Sequence, residues 1–187
     1  MLLLVFALAV FAVVHMIPAI PWAKAYWKML LGRAYGAAYG VASLVLLIAS
    51  IAALRMAETG QVYDPPSWGR AANFALTLVA FVFVGIFLFR GSWRTYVKYP
   101  MAIATVFWAV GHLFANGEVR SIVFITGLAG AALAHVFLAS RFTEWQPAEV
   151  RSGHNLLSVL FGIALYGVMA QVHGAVIGVP VVSLAGL

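Results

Sequence analysis

The chain has 187 residues, 65% of them hydrophobic and 9% charged, with 11 Lys and Arg against 5 Asp and Glu. A soluble domain carries about 25% charged residues, so the composition excludes a water-soluble globule and makes the lipid bilayer the solvent; the length suits a single transmembrane helical bundle domain, 1–187. No cysteine is present, which excludes disulfides, iron–sulfur ligation, Cys-type zinc sites and thioether-attached haem, and the +6 formal charge lies in short loops, where it reads as a topology signal and not as nucleic-acid binding.

Apolar runs predict helices over 2–22, 36–54, 72–89, 101–115, 121–140 and 155–175. Several approach the ~20 residues that span a bilayer. The expected fold is therefore all-α, a polytopic membrane bundle of about six transmembrane helices. The first run lacks a basic segment before it, and Lys24, Lys28 and Arg33 follow it, so it reads as a retained anchor and not a cleaved leader. The fourth run is short, and needs Trp93–Tyr99 or its closing turn to reach across.

Loops one, three and five hold Lys24, Lys28, Arg33, Arg90, Arg94, Lys98, Arg141 and Arg151, whereas loops two and four hold Arg55, Arg70 and Arg120. The positive-inside rule then places both termini outside the cytoplasm, periplasmic in a bacterial inner membrane. Between the second and third helices, "YDPPSW" (63–68) is a rigid turn, because two successive prolines cannot continue a helix. "GRAYGAAYG" carries Gly32, Gly36 and Gly40 at i, i+4 and i+8, a small-residue ridge expected to seat a neighbouring helix.

Histidines carry most of the chemical information. His154 opens the last helix at the cytoplasmic interface, where a solvated or capping role is expected; His173 lies near the outer end of that helix, where an interfacial role is expected. His15, His112 and His135 fall within apolar runs, where ionisable groups are costly and usually functional. At a 1.5 Å rise per residue, His15 and His135 both lie roughly 20 Å in from the outer face, and His112 roughly 10–12 Å in. Depth alone pairs His15 with His135.

The helix bearing His112 has its own pattern. Met101, Thr105, Trp108, His112 and Asn116 share one polar-aromatic stripe, which on a membrane helix is expected to point into the bundle. Zinc needs three or four ligands, and all five carboxylates (Glu58, Asp64, Glu118, Glu144, Glu149) lie in or beside loops. Haem b needs only one or two axial histidines and an apolar slot between helices, so haem b iron is the cofactor these residues fit.

Several stretches resemble a known family. "VHMIPA…LLGRAYGAAYGVASL" (14–44), "VYDPPSW" (62–68) and "KYPMAIATVFWAVGHLFANGE" (98–118) are similar to the NnrU family of bacterial membrane proteins, whose relatives include the plant 15-cis-zeta-carotene isomerase, a haem b enzyme. The resemblance covers about residues 1–140. It implies that His15 and His112 are the haem-iron ligands, and the stripe shared with His112 then sets Thr105, Trp108 and Asn116 along the cofactor site. Two positions depart from the pattern. Lys98-Tyr99-Pro100 stands where the family usually reads R-H-P, which puts isomerase chemistry in question; Ala109 replaces a cysteine that the plant enzyme carries three residues before its second ligand.

Three functions follow as expectations. The first is an NnrU-type haem b membrane protein linked to nitrite and nitric oxide respiration or to electron transfer. The second is a haem-dependent cis-trans isomerase of a polyene or isoprenoid. The third is a non-catalytic subunit of a larger respiratory or photosynthetic complex. Expected partners are the lipid bilayer, a polyene or isoprenoid ligand, and a complex partner or second copy of the chain.

Overall fold

The structure, a computed structural model, describes residues 1–144, 146 and 149–181. Among these the chain is all-helical apart from one isolated bridge. The α-helices are α1 (Leu2–Met16), α2 (Pro21–Leu31), α3 (Tyr35–Met56), α4 (Gly69–Leu88), α5 (Pro100–Ala115), α6 (Val119–Phe142) and α7 (His154–Ile177). Five segments are long and apolar enough to cross a membrane: Leu2–Ala19, Pro21–Met56, Gly69–Leu88, Val119–Phe142 and His154–Ile177. Only 11–22% of the residues in each span are buried, so the outward surfaces are hydrocarbon that lipid, not water, must solvate. This is a multi-pass membrane protein.

The six expected helices are all present, with two changes. The first ends early. Pro18 lies in a 3-10 turn, Ile17–Ala19, and Ile20 is extended ahead of Pro21, the conformation a following proline favours. What reads as loop one then folds as α2, with Pro21 at its start. Trp22, Met29 and Leu30 are well exposed beside Lys24 and Lys28, the character of a helix lying in the headgroup layer. The other change is at α5, which does not extend backwards. Ser92–Thr95 forms a separate 3-10 turn and Pro100 is the first helical residue.

The chain packs as two compact units. The first comprises Met1–Asp64 and Asn116–Gln146; the second comprises Pro65–Ala115 and Pro147–Leu187. In the first, α1 packs against both α3 and α6. Leu8 fills the space over Gly127, and His15 meets His135 further along, so α1 and α6 run parallel. The segment after α3 pairs with the start of α6. Val62 N–H donates to Gly117 O (2.8 Å), Val119 N–H to Gly60 O (2.9 Å) and Tyr63 Oη to Asn116 O (2.8 Å).

In the second unit α4 is the common partner of α5 and α7. Backbone approaches backbone at glycines. A Cβ on Gly69 would collide with the Phe114 carbonyl, one on Gly85 with the Ser158 carbonyl, and one on Gly162 with Phe81 and Val82. These contacts make α4 antiparallel to both neighbours. At the other loop Arg151 N–H donates to Arg90 O (2.7 Å), and Asn155 bridges Trp93 N and Ser92 Oγ.

The expected glycine ridge does not seat a helix. Gly32 is the residue on which α2 ends, with φ +53, and Gly36 and Gly40 face open space. Packing glycines are elsewhere, at helix pairs that no spacing within one run reveals.

Candidate functional site

The first unit holds a cluster of aromatic and imidazole rings around the end of α1. His15, from α1, stacks on Phe11 with ring centroids 4.9 Å apart, lies 5.9 Å from the Tyr39 ring of α3, and lies 5.7 Å from the His135 ring of α6. Tyr39 Oη and His15 Nδ1 are hydrogen bonded at 3.2 Å. His135 Nδ1–H donates to the His15 carbonyl at 2.9 Å. That bond fixes His135 in the tautomer whose lone pair is on Nε2. Tyr35 stacks beside Tyr39 at 6.4 Å, and its hydroxyl is buried with no hydrogen-bond partner in the structure.

An apolar groove of about 390 Å³ runs along the same α1–α6 seam, lined by Val5, Leu8, Ala9, Ala12, Val123, Thr126 and Gly127. Leu8 and Gly127 lie two turns before His15 and His135 on their respective helices, so the groove points along the seam that the two imidazoles occupy.

In the second unit His112 of α5 donates Nδ1–H to the Trp108 carbonyl one turn back, at 2.9 Å, and its ring lies 4.5 Å from the Trp108 indole. The ring of His173, from α7, is 6.5 Å from that of His112. His173 Nδ1–H donates to Val179 O at 2.7 Å, because α7 ends on Gly178 in a left-handed conformation that turns the chain back.

The sequence-based candidates divide between the units. His15 belongs to the first; Thr105, Trp108 and His112 belong to the second, and Asn116 starts the return into the first. The stripe on α5 is not uniformly turned inward. Met101 is 42% exposed, Thr105 bonds back to the Met101 carbonyl at 3.0 Å, and the buried residues of α5 are Pro100, Ala104, Ala109 and Gly111. Small residues take the packing positions, as helices in lipid require close backbone approach. The depth pairing of His15 with His135 coincides with an actual ring contact. His173, expected to be only interfacial, sits against His112.

The fifth histidine differs chemically. His154 Nδ1 accepts the Arg90 backbone N–H at 3.1 Å, so its lone pair is already engaged in closing the end of α4. Tyr99, in the place of the histidine expected from the resemblance, lies under the Lys98 ammonium at 5.2 Å and keeps its own hydroxyl buried and without a hydrogen-bond partner among the described residues.

Metal-binding histidines characteristically anchor their second ring nitrogen on a carbonyl or similar acceptor. His112, His135 and His173 have this arrangement. His15 has it when Nδ1–H donates to the Tyr39 oxygen. Among the described residues no three His, Asp or Glu side chains converge, so these histidines supply at most two donors to one metal. Two donors suffice for haem and not for zinc. Two imidazoles bound to one metal at about 2 Å each have ring centres roughly 6 Å apart, and the observed 5.7 Å and 6.5 Å bracket that value. The donor set fits haem iron.

The model of one protein family, described as NnrU protein, matches residues 3–181. Neither a curated protein nor a solved structure matches the chain.

Proposed function

Because the chain belongs to the NnrU family, we propose that it is a haem b-binding integral membrane protein of the NnrU type, serving electron transfer linked to nitrite and nitric oxide respiration. His15 and His112 are iron ligands in this reading. One observation carries it: each of these histidines is held through Nδ1 by an oxygen of its own unit, Tyr39 Oη or the Trp108 carbonyl. The ring is thereby oriented, and in this reading Nε2 is the nitrogen that binds metal.

When bound, haem supplies a one-electron couple whose potential follows from its axial ligands and their surroundings. The chain's own residues do the rest. In this reading the Tyr39 oxygen and the Trp108 carbonyl accept from Nδ1–H and hold each imidazole in the tautomer that can ligate metal. Phe11 and Trp108 pack on the rings and exclude water. The buried Tyr35 hydroxyl is a donor without an acceptor among the described residues.

The α1–α6 groove favours a second reading, a cis-trans isomerase acting on a polyene or isoprenoid, since an elongated apolar chain matches its lining. One experiment addresses both. The purified protein should give a b-type reduced-minus-oxidised spectrum, and His15→Ala and His112→Ala should each lose haem or convert it to high spin. Absence of any b-type spectrum refutes the haem reading. Conversion of an added polyene by the reduced protein supports the isomerase, and no conversion refutes that second reading.

A further inference from the structure

The histidines of this chain are matched within each unit. His15 has His135 at 5.7 Å in the first, and His112 has His173 at 6.5 Å in the second. His154, the fifth, uses its lone pair on a backbone amide. Resting on the haem reading above, we propose that His112 and His173 form a second bis-imidazole iron site within the α4–α5–α7 unit, separate from that of His15 and His135, so that each unit binds its own haem.

Helix register supports this independently of the ring distance. On α4, Gly85 faces Ser158 and Phe81–Val82 face Gly162 of α7, while Gly69 faces Phe114 and Asn73 faces Gly111 of α5. Continuing each antiparallel alignment sets His112 and His173 at one level, opposite residues 70–72 of α4. The two histidines are thus level although one lies 12 residues into its helix and the other 19. Their rings meet because the backbones of α5 and α7 each lean on α4, not on one another. A flat macrocycle needs such a seam between two ligand-bearing helices, as close-packed helices leave no slot.

Both rings are locked by backbone oxygens on their own side, Trp108 O and Val179 O. Haem also carries two carboxylates, and a cation stands at this level of the unit. Arg70 is held there by a 2.7 Å bond from Nη2 to the Val181 carbonyl and by its position 5.8 Å over the Phe74 ring. A cation at this level is what a haem carboxylate would pair with, and a bare metal ion would have no use for it.

The test is haem stoichiometry and spin state in the full-length protein, purified in detergent. Two haems per chain are expected, by pyridine haemochrome against quantified protein. His173→Ala should lower the ratio from two to one, or convert half of the low-spin electron paramagnetic resonance signal to high spin. His135→Ala should do the same to the other half. Millimolar imidazole should restore the low-spin signal to His173→Ala, which separates a missing ligand from a misfolded protein. A ratio of one that is lost with His15→Ala or His112→Ala, but unaffected by His173→Ala and His135→Ala, overturns this proposal and leaves the haem function standing. A protein with no haem at all overturns both.

Discussion

Gly162→Ala perturbs the α4–α7 packing by a small, calculable overlap. An added methyl would lie 2.7 Å from the Phe81 carbonyl oxygen, 2.8 Å from Val82 Cα and 2.9 Å from the Phe81 carbonyl carbon. All three atoms are backbone of α4, so no side chain can swing aside. To restore contacts of about 3.5 Å, α7 must withdraw by roughly 0.6–0.8 Å along this stretch. Overpacking of this kind costs about 1–3 kcal/mol, against which alanine in place of glycine favours a helix by about 0.5–1 kcal/mol. The net expectation is a loss of up to about 2.5 kcal/mol, about 1 kcal/mol at mid-range. Gly167→Ala, five residues on in the same helix, meets nothing within 4 Å and should be neutral or stabilising. Thermal and SDS-titrated unfolding in detergent, followed by circular dichroism, compares the two variants directly. If Gly162→Ala is as stable as Gly167→Ala, the α4–α7 contact is not as close as described and the register built on it fails.

Two further outcomes are expected. Glu118 bonds Arg120 Nε at 2.8 Å, and that bond first, then one from Thr59, holds its carboxyl below the usual range. Its contribution is therefore full above the unfolded carboxyl pKa and fades as pH falls through the lower folded value. The pair is partly exposed, so the effect lies within the ~0.2–1 kcal/mol of surface ion pairs, and Glu118→Gln should flatten the acid limb of the stability profile by that much. Because the chain has no cysteine, Gly60→Cys and Ser152→Cys can each be labelled with an impermeant maleimide. Gly60→Cys should react from outside intact cells and Ser152→Cys only after lysis; the reverse pattern would invert the topology inferred from Lys and Arg counts.

The spanning helices were legible because the bilayer imposes a length, and runs of about 20 apolar residues have few other uses. The short α2 was hidden by the same rule. Lys24 and Lys28 interrupt the apolar pattern as a loop would, and only the position of Pro21 hints that a second helix starts there. Gly32, Gly36 and Gly40 announced a packing ridge by spacing, yet spacing says nothing of whether a partner is present. Gly69, Gly85 and Gly162, which do meet a backbone, lie singly in their helices. At the site, depth counted along α1 and α6 brought His15 to His135 correctly, because Leu8 and Gly127 keep those helices in step. The same count missed His173. Extending the register along α4 puts Pro100 opposite residues 83–84 and His154 opposite residue 89, an offset of roughly 8 Å between the starts of α5 and α7 that no within-helix count contains.

The brevity of α5 bears on the membrane itself. Sixteen residues give a helix of about 24 Å, and Pro100 at one end and Asn116-Gly117 at the other stop it lengthening. A bilayer core is ~30 Å thick. A helix too short for its core draws the headgroups inward at modest cost per ångström, so a bilayer of that thickness would have to thin beside α5, which would bring water closer to mid-membrane there. His112 is one turn from the end of that helix. The imidazole packed on the Trp108 indole is thus also the one nearest the short end of the bundle's lipid-facing surface. Acyl-chain length becomes a physical control on its surroundings: shorter lipids relieve the pinch, and longer ones deepen the dimple of solvent above it.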